Sequence, residues 1–299
     1  MTYDEAKNEY DHMILPRSAD VLVKFYLFTS NNPSDGELIY MGDKDQFRNS
    51  NFNPNHPTRF IIHGWMSSVN STMNILIRDA YLKHGKHNII VIDWSSAAIN
   101  LNYVAARFKV ENVGKQVAEL IDFLNNYAKL SFNDIHLIGH SLGAHVCGFI
   151  GKNVKNGRIP IIFGLDPALP LFQYIEKNKR LSNDDAFYVE TIHTNGGFLG
   201  FMDPIGISSF YPNYGSQQPG CGLDLGRKCS HERSFELFAD AIENDYFIPR
   251  QCNTFDDLVN QNCNNIISKD IKMGSYLNAF RNAKGIFYLP TSSSKPFRR

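Results

Sequence analysis

Residues 139–145, GHSLGAH, constrain the fold of this chain more than any other stretch. They set Ser141 between Gly139 and Gly143 in a G-x-S-x-G pattern. Just before it, Ile135, His136, Leu137 and Ile138 make a short strand-like run, and residues 144–150 suit a helix. Strand, sharp turn and helix in that order are what a nucleophile elbow requires. The glycines matter because a Cβ at either would crowd the tight strand-to-helix crossing. The serine hydroxyl then stands clear of the sheet, and the new helix aims its N-terminal N–H groups at any oxyanion forming there. The pattern alone is a modest signal; its context and the downstream partners strengthen it.

The rest of the chain supplies a sheet for that elbow. Residues 58–63 (TRFIIH) and 88–94 (NIIVIDW) are short β-branched apolar runs, as in strands buried on both faces of a parallel sheet. Residues 21–29 read as a further strand, followed by a turn cluster at 31–36. Residues 103–128 have helical period, with Val104, Phe108, Val113, Val117, Leu120, Ile121 and Leu124 on one broad face. Strands follow at 159–165 and 187–193, an amphipathic helix at 234–246, and a last strand at 285–290. Alternating strands and helices predict an α/β fold with a mostly parallel central sheet flanked by helices. The 299 residues fit one such domain, with its core at about 20–290. Residues 196–229, rich in Gly, Pro, Asn, Ser and Tyr, read as a long functional loop region, and the tail SSSKPFRR as frayed.

Charge narrows the partners. Thirty acidic and thirty basic residues cancel, which argues against nucleic acid or a polybasic membrane grip. No apolar run approaches the roughly 18 residues of a transmembrane segment. The polar opening MTYDEAKNEYDHM is not a signal peptide, so the protein is intracellular or its numbering starts at a processed end. The cysteines help decide between these. Cys221 and Cys229 enclose seven residues and Cys252 and Cys263 enclose ten, which suggests two disulfides and an oxidising compartment. Cys147, on the elbow helix, reads as a small buried hydrophobe. A glycosylation sequon at Asn70, followed by Ser71 and Thr72, agrees with secretion.

A serine hydroxyl needs a histidine to take its proton and an acid to orient that histidine. After an elbow of this kind the acid comes next and the histidine last. Asp166 lies 25 residues beyond Ser141, at the end of the following strand, where Pro167 stops it. The carboxyl ends of parallel strands are where active-site groups collect. Two histidines between Asp166 and the C-terminus qualify. His193 ends a strand; His231 follows a cysteine and precedes a helix, which gives a loop with a fixed base. The residues favour His231 and leave both open. Leu142, after the nucleophile, supplies one oxyanion N–H. Trp65, after the strand and the His63-Gly64 pair, supplies the second.

With these blocks in view the chain resembles the pancreatic lipase family. The matching segments are RFIIHGW, VIDW, VGKQVAELIDFL, IHLIGHSLGAH, FGLDPALPLF, VETIHTNGG, FYPNYGSQQPGC and CSHERS. The resemblance implies an α/β-hydrolase fold and a Ser141, Asp166, His231 triad. It settles the histidine, because the family's base sits in the segment that CSHERS matches. It implies Trp65 and Leu142 as oxyanion donors and pairs Cys221 with Cys229 and Cys252 with Cys263. Larger members add a C-terminal β-sandwich domain, which is not expected here. In the family's lipases a lid loop spans the first cysteine pair; here it is only Gly222 to Lys228, too short to cover a large apolar cleft. That resembles the insect phospholipase A1 branch. A calcium site of some relatives is matched at Arg180 and Asp185 but not at Ser182, where an acid is expected, so no required metal and no cofactor are expected. The reading is a secreted, monomeric serine esterase working at a lipid–water interface, a phospholipase A1 releasing the sn-1 fatty acid. A triacylglycerol or galactolipid lipase is the alternative, and a non-catalytic, yolk-type lipid-binding relative the more distant one.

Overall fold

Burial on both faces gathers the β-branched runs into one sheet. A computed structural model of the chain describes residues 21–244, 246–263, 265–267, 271–274 and 283–299. Its strands in chain order are β1 (Lys24–Phe28), β2 (Glu37–Ile39), β3 (Thr58–Ile62), β4 (Asn88–Asp93), β5 (Ile135–His140), β6 (Ile161–Leu165), β7 (Tyr188–Ile192), β8 (Ser208–Pro212), β9 (Arg250–Cys252), β10 (Asn265–Ile267) and β11 (Gly285–Leu289). The helices are α1 (Lys44–Asn49), α2 (Thr72–His84), α3 (Ser95–Ala98), α4 (Tyr103–Ala128), α5 (Leu142–Asn153), α6 (Lys228–Asn244) and α7 (Phe255–Val259). The sheet order is β10-β9-β11-β8-β7-β6-β5-β3-β4-β1-β2. From β4 to β11 every neighbour is parallel; β1, β2, β9 and β10 add antiparallel edges.

Alternation along each strand feeds two cores. Phe60, Ile62, Ile90 and Leu137 meet α4 and α5 through Val117, Ile121, Val146 and Ile150 on one face. Ile61, Ile89, Ile138 and Phe163 meet α2 and α6 through Ile77, Tyr81 and Phe238 on the other. Residues of β3 to β7 are buried throughout, which is why these strands read as unbroken apolar runs. Helix α4 starts where Asn102 accepts the Ala105 N–H at 3.2 Å. It closes on α5 because Gly114 has no Cβ; one built there would lie 2.4 Å from the Phe149 Cβ.

The structure departs from sequence expectation in several places. Strand β8 runs through the region read as loop. It carries no apolar alternation signal because Ser208 and Ser209 are buried by pairing, with Tyr188 Oη at 2.6 Å and Thr191 Oγ1 at 2.8 Å. Helix α6 begins at Lys228 rather than residue 234, because the Asp224 carboxylate accepts the N–H groups of Cys229 and Ser230 at 3.3 and 2.8 Å. Asp245, near its expected end, and residues 1–20 lie outside the described residues. The tail is docked, not frayed: Phe297 is buried, its N–H donates to Asp240, and the Arg233 guanidinium lies over its ring.

Candidate active site

Ser141 sits between the end of β5 and the first turn of α5 with φ 57° and ψ −121°. That is a strained conformation for a residue with a Cβ, held by everything packed around it. A Cβ on Gly139 would lie 2.2 Å from the Gly143 carbonyl oxygen, and one on Gly143 would lie 2.2 Å from that of Ile62. Only two glycines let the crossing close. The serine backbone is pinned on both sides, its N–H donating to the Leu165 carbonyl at 3.0 Å and its carbonyl accepting from Ala168 at 3.3 Å.

Asp166 follows β6 directly, on the adjacent strand, with φ 42°. It is fully buried. Its Oδ2 accepts from His231 Nδ1 at 2.5 Å, and its Oδ1 accepts the backbone N–H groups of Thr194 and Asn195 at 2.8 and 3.0 Å. Three donors thus converge on one carboxylate. Gly200 leaves room for it, since a Cβ there would lie 2.5 Å from the carboxylate atoms. His231 occupies the first turn of α6, not a free loop. Its ring centroid lies 4.4 Å from that of His140, whose Nε2–H donates to the His231 carbonyl at 3.2 Å. Burial, and then the neighbouring His231, push the His140 pKa well down, so His140 is a neutral wall. With Nδ1 engaged by Asp166, His231 has Nε2 left for chemistry. Among the described residues the Ser141 hydroxyl makes no hydrogen bond to His231; catalytic contacts of this kind commonly tighten only once substrate is bound.

Trp65 is brought to the same place. A Cβ on Gly64 would lie 2.9 Å from the Ser141 Cβ and 3.0 Å from the His140 carbonyl oxygen, so the chain passes against the serine. Among the described residues neither the Trp65 nor the Leu142 N–H donates to a protein acceptor. The segment is braced from behind. The His63 Nε2 lies 3.3 Å from both the Asp93 carboxylate and the Trp94 N–H, and Trp94 Nε1–H donates to the His63 carbonyl at 2.8 Å. The Trp65 ring is half-exposed, with its indole N–H on the Asn100 carbonyl and Tyr103 edge-on.

His193 belongs to the scaffold. Its Nδ1–H donates to the Phe201 carbonyl at 2.7 Å, its Nε2 pairs with Thr191 Oγ1 at 2.8 Å, and its ring stacks on Tyr211. Cys221 bonds Cys229 and Cys252 bonds Cys263. Cys147 is free and buried, and burial pushes its thiol well up. Asn70 is exposed ahead of α2. The loop from Gly222 to Lys228 projects Leu223 and Leu225, each 85% exposed, while Arg227 lies over the Phe198 ring at 3.8 Å. Sequence reasoning missed Thr194, Asn195 and Gly200 around Asp166, and His63, Asp93 and Trp94 behind Trp65. For all but Gly200, which lies outside these segments, a position at or just after a strand end in VETIHTNGG, RFIIHGW and VIDW was the available signal. Among the described residues no cluster of three or more His, Cys, Asp or Glu could hold a metal, and no helix is long and apolar enough to cross a membrane.

Comparison with known proteins places the chain in a family. The chain is 35% identical to pancreatic lipase-related protein 2 of Cavia porcellus over 92% of its own length and 65% of that relative's. It is 32% identical to pancreatic triacylglycerol lipase of Myocastor coypus, covering 96% of this chain and 68% of that one. It is 34% identical to pancreatic triacylglycerol lipase of Equus caballus, with the same 96% and 68% coverage. The chain therefore spans about two thirds of the length of these relatives. A family model described as Lipase matches residues 6–297. By that match and these identities, the chain belongs to the lipase family.

Proposed function

We propose that this chain is a serine hydrolase of glycerolipid esters and, within that class, a phospholipase A1. The observation that carries the esterase reading is the 2.5 Å bond from His231 Nδ1 to a three-donor Asp166 beside a strained Ser141. In this reading His231 Nε2 takes the Ser141 proton while Oγ attacks the ester carbonyl. The oxyanion falls between the Trp65 and Leu142 N–H groups, each worth about 100- to 1000-fold in rate. Asp166 stabilises the imidazolium that forms. His231 then gives its proton to the leaving lysolipid alcohol, and water activated by the same nitrogen releases the fatty acid from the acyl-serine.

The phospholipid preference rests on the seven-residue loop inside the Cys221–Cys229 disulfide. Asp224, in the middle of that loop, is committed to capping α6, so the loop cannot swing over a cleft as a long lid does. The two disulfides support secretion, exposed Asn70 supports a glycan, and a monomer is the working assembly. The test is hydrolysis of a phosphatidylcholine with distinguishable sn-1 and sn-2 chains beside a triacylglycerol emulsion, with Ser141→Ala as blank. Release of the sn-1 acid with little from the emulsion is expected. Emulsion cleavage alone would mean a neutral lipase and refute the loop argument; silence on both substrates would refute the phospholipase A1 reading and move weight to a lipid-binding role or another polar lipid.

A further inference from the structure

Downstream of Asp166 the chain wraps around the helix that carries Ser141 at its start. Helix α5 and residues 167–186 are fitted closely. His145 Nε2–H donates to the Ala168 carbonyl at 2.8 Å, and its Nδ1 accepts the Leu181 N–H at 3.0 Å. A Cβ on Gly148 would lie 2.7 Å from the Leu181 Cα, and one on Gly151 would lie 2.1 Å from the Asp185 carbonyl oxygen. The last turn of α5 closes this seam with a charge: Lys152 Nζ donates to the Arg180 carbonyl at 2.9 Å and to the Asp185 carboxylate.

The resemblance to the pancreatic lipase family makes Arg180 and Asp185 the positions expected to match a calcium site of some relatives. A calcium ion asks for six to eight oxygens at about 2.3–2.6 Å. Here the oxygens are spent: Asp185 Oδ1 and the Arg180 carbonyl hold the ammonium, Asp185 Oδ2 accepts the Ser182 N–H at 2.8 Å, and the Ser182 hydroxyl donates to Asp184. Charge is already balanced as well. Asp184 and Asp185 face Lys152 and the guanidinium of Arg180, which is buried and donates to the carbonyls of Gln173, Tyr174 and Leu181. A divalent ion would add two positive charges to a neutral cluster and would have to displace a tethered one. The residues do not fit calcium.

We propose that the Lys152 ammonium is a built-in replacement for that cation, fastening residues 180–185 to the nucleophile helix without metal. It is covalently attached, so it is present at any ion concentration and costs no binding entropy.

Thermal unfolding tests it. The wild-type midpoint should move by less than about 1 °C between EDTA and millimolar calcium chloride, because nothing binds the folded state. Lys152→Ala should lower the midpoint in EDTA by about 4 °C or more, because it leaves the Asp185 carboxylate buried and unpaired. Adding Ser182→Asp to that variant should create a site whose midpoint rises with calcium, whereas Lys152→Arg should stay calcium-indifferent. Calcium stabilisation of the wild type that disappears in Asp185→Asn would overturn the proposal, and that titration requires no lysine variant to fold. A Lys152→Ala midpoint equal to wild type, or a double variant blind to calcium, would overturn it too.

Discussion

Replacing Asp166 with asparagine should disable the site through a tautomer rather than through lost packing. The carboxylate receives three donors: the Thr194 and Asn195 N–H groups on Oδ1 and His231 Nδ1–H on Oδ2. An asparagine has one oxygen and one NH₂. Turning the NH₂ toward two fixed backbone donors sets donor against donor, so the oxygen must face them. The NH₂ then faces His231 Nδ1, which has to accept, and the ring proton moves to Nε2. That is the nitrogen needed as a base, and it can no longer take the Ser141 proton. The same exchange in a trypsin-type triad lowers kcat about 10⁴-fold, and a loss of about 10³- to 10⁴-fold is expected here. Stability should fall only by about 1–3 kcal/mol, the scale of weakened hydrogen bonds to a charged acceptor. Steady-state hydrolysis of a soluble chromogenic ester measures the first quantity and urea unfolding the second. A folded Asp166→Asn protein within tenfold of wild-type kcat would refute the reasoning.

Two further perturbations probe the frame. Gly64→Ala puts a methyl 2.9 Å from the Ser141 Cβ and 3.0 Å from the His140 carbonyl oxygen; it should displace the Trp65 N–H and lower kcat about 100-fold or more, while an unchanged kcat would separate Trp65 from the oxyanion. Glu190 lies under the sheet, accepting from Tyr188 Oη at 2.9 Å and the Gly274 N–H at 2.7 Å. Burial raises its pKa from 4.5 to about 7. The folded state therefore holds this proton more tightly than the unfolded chain does. The contribution to stability is fully present below about pH 4.5 and is lost as pH rises through 7, a change of about 3 kcal/mol. Glu190→Gln should accordingly gain on wild type by about that amount between pH 4 and pH 8 in urea unfolding, and a pH-independent difference would contradict the assignment.

The parts of the site that sequence made legible are those fixed by local backbone geometry. An elbow serine needs glycines at two set positions because main chain approaches there, and that requirement is written in seven consecutive residues. The acid at the end of the next strand follows from parallel topology, because the carboxyl ends of neighbouring strands lie side by side. Strand β8 was not legible, since its burial depends on serines pairing with Tyr188 and Thr191 from β7. The start of α6 was missed for a related reason: its cap is Asp224, outside the usual capping position and inside a disulfide loop.

Sequence by itself determined the α/β class and the elbow pattern, and pointed to a candidate acid, two cysteine pairs and two histidine candidates, because each is set by periodicity or by spacing along the chain. The residues alone left His193 and His231 both open. The difference between them is spatial: His193 has both ring nitrogens engaged by Phe201 and Thr191, whereas only one nitrogen of His231 is engaged, by Asp166. The brace of His63, Asp93 and Trp94 behind Trp65, and the Lys152 ammonium on Arg180 and Asp185, likewise join residues about 30 positions apart. Such contacts depend on how strands and helices pack across the sheet, and only the tertiary structure decides that.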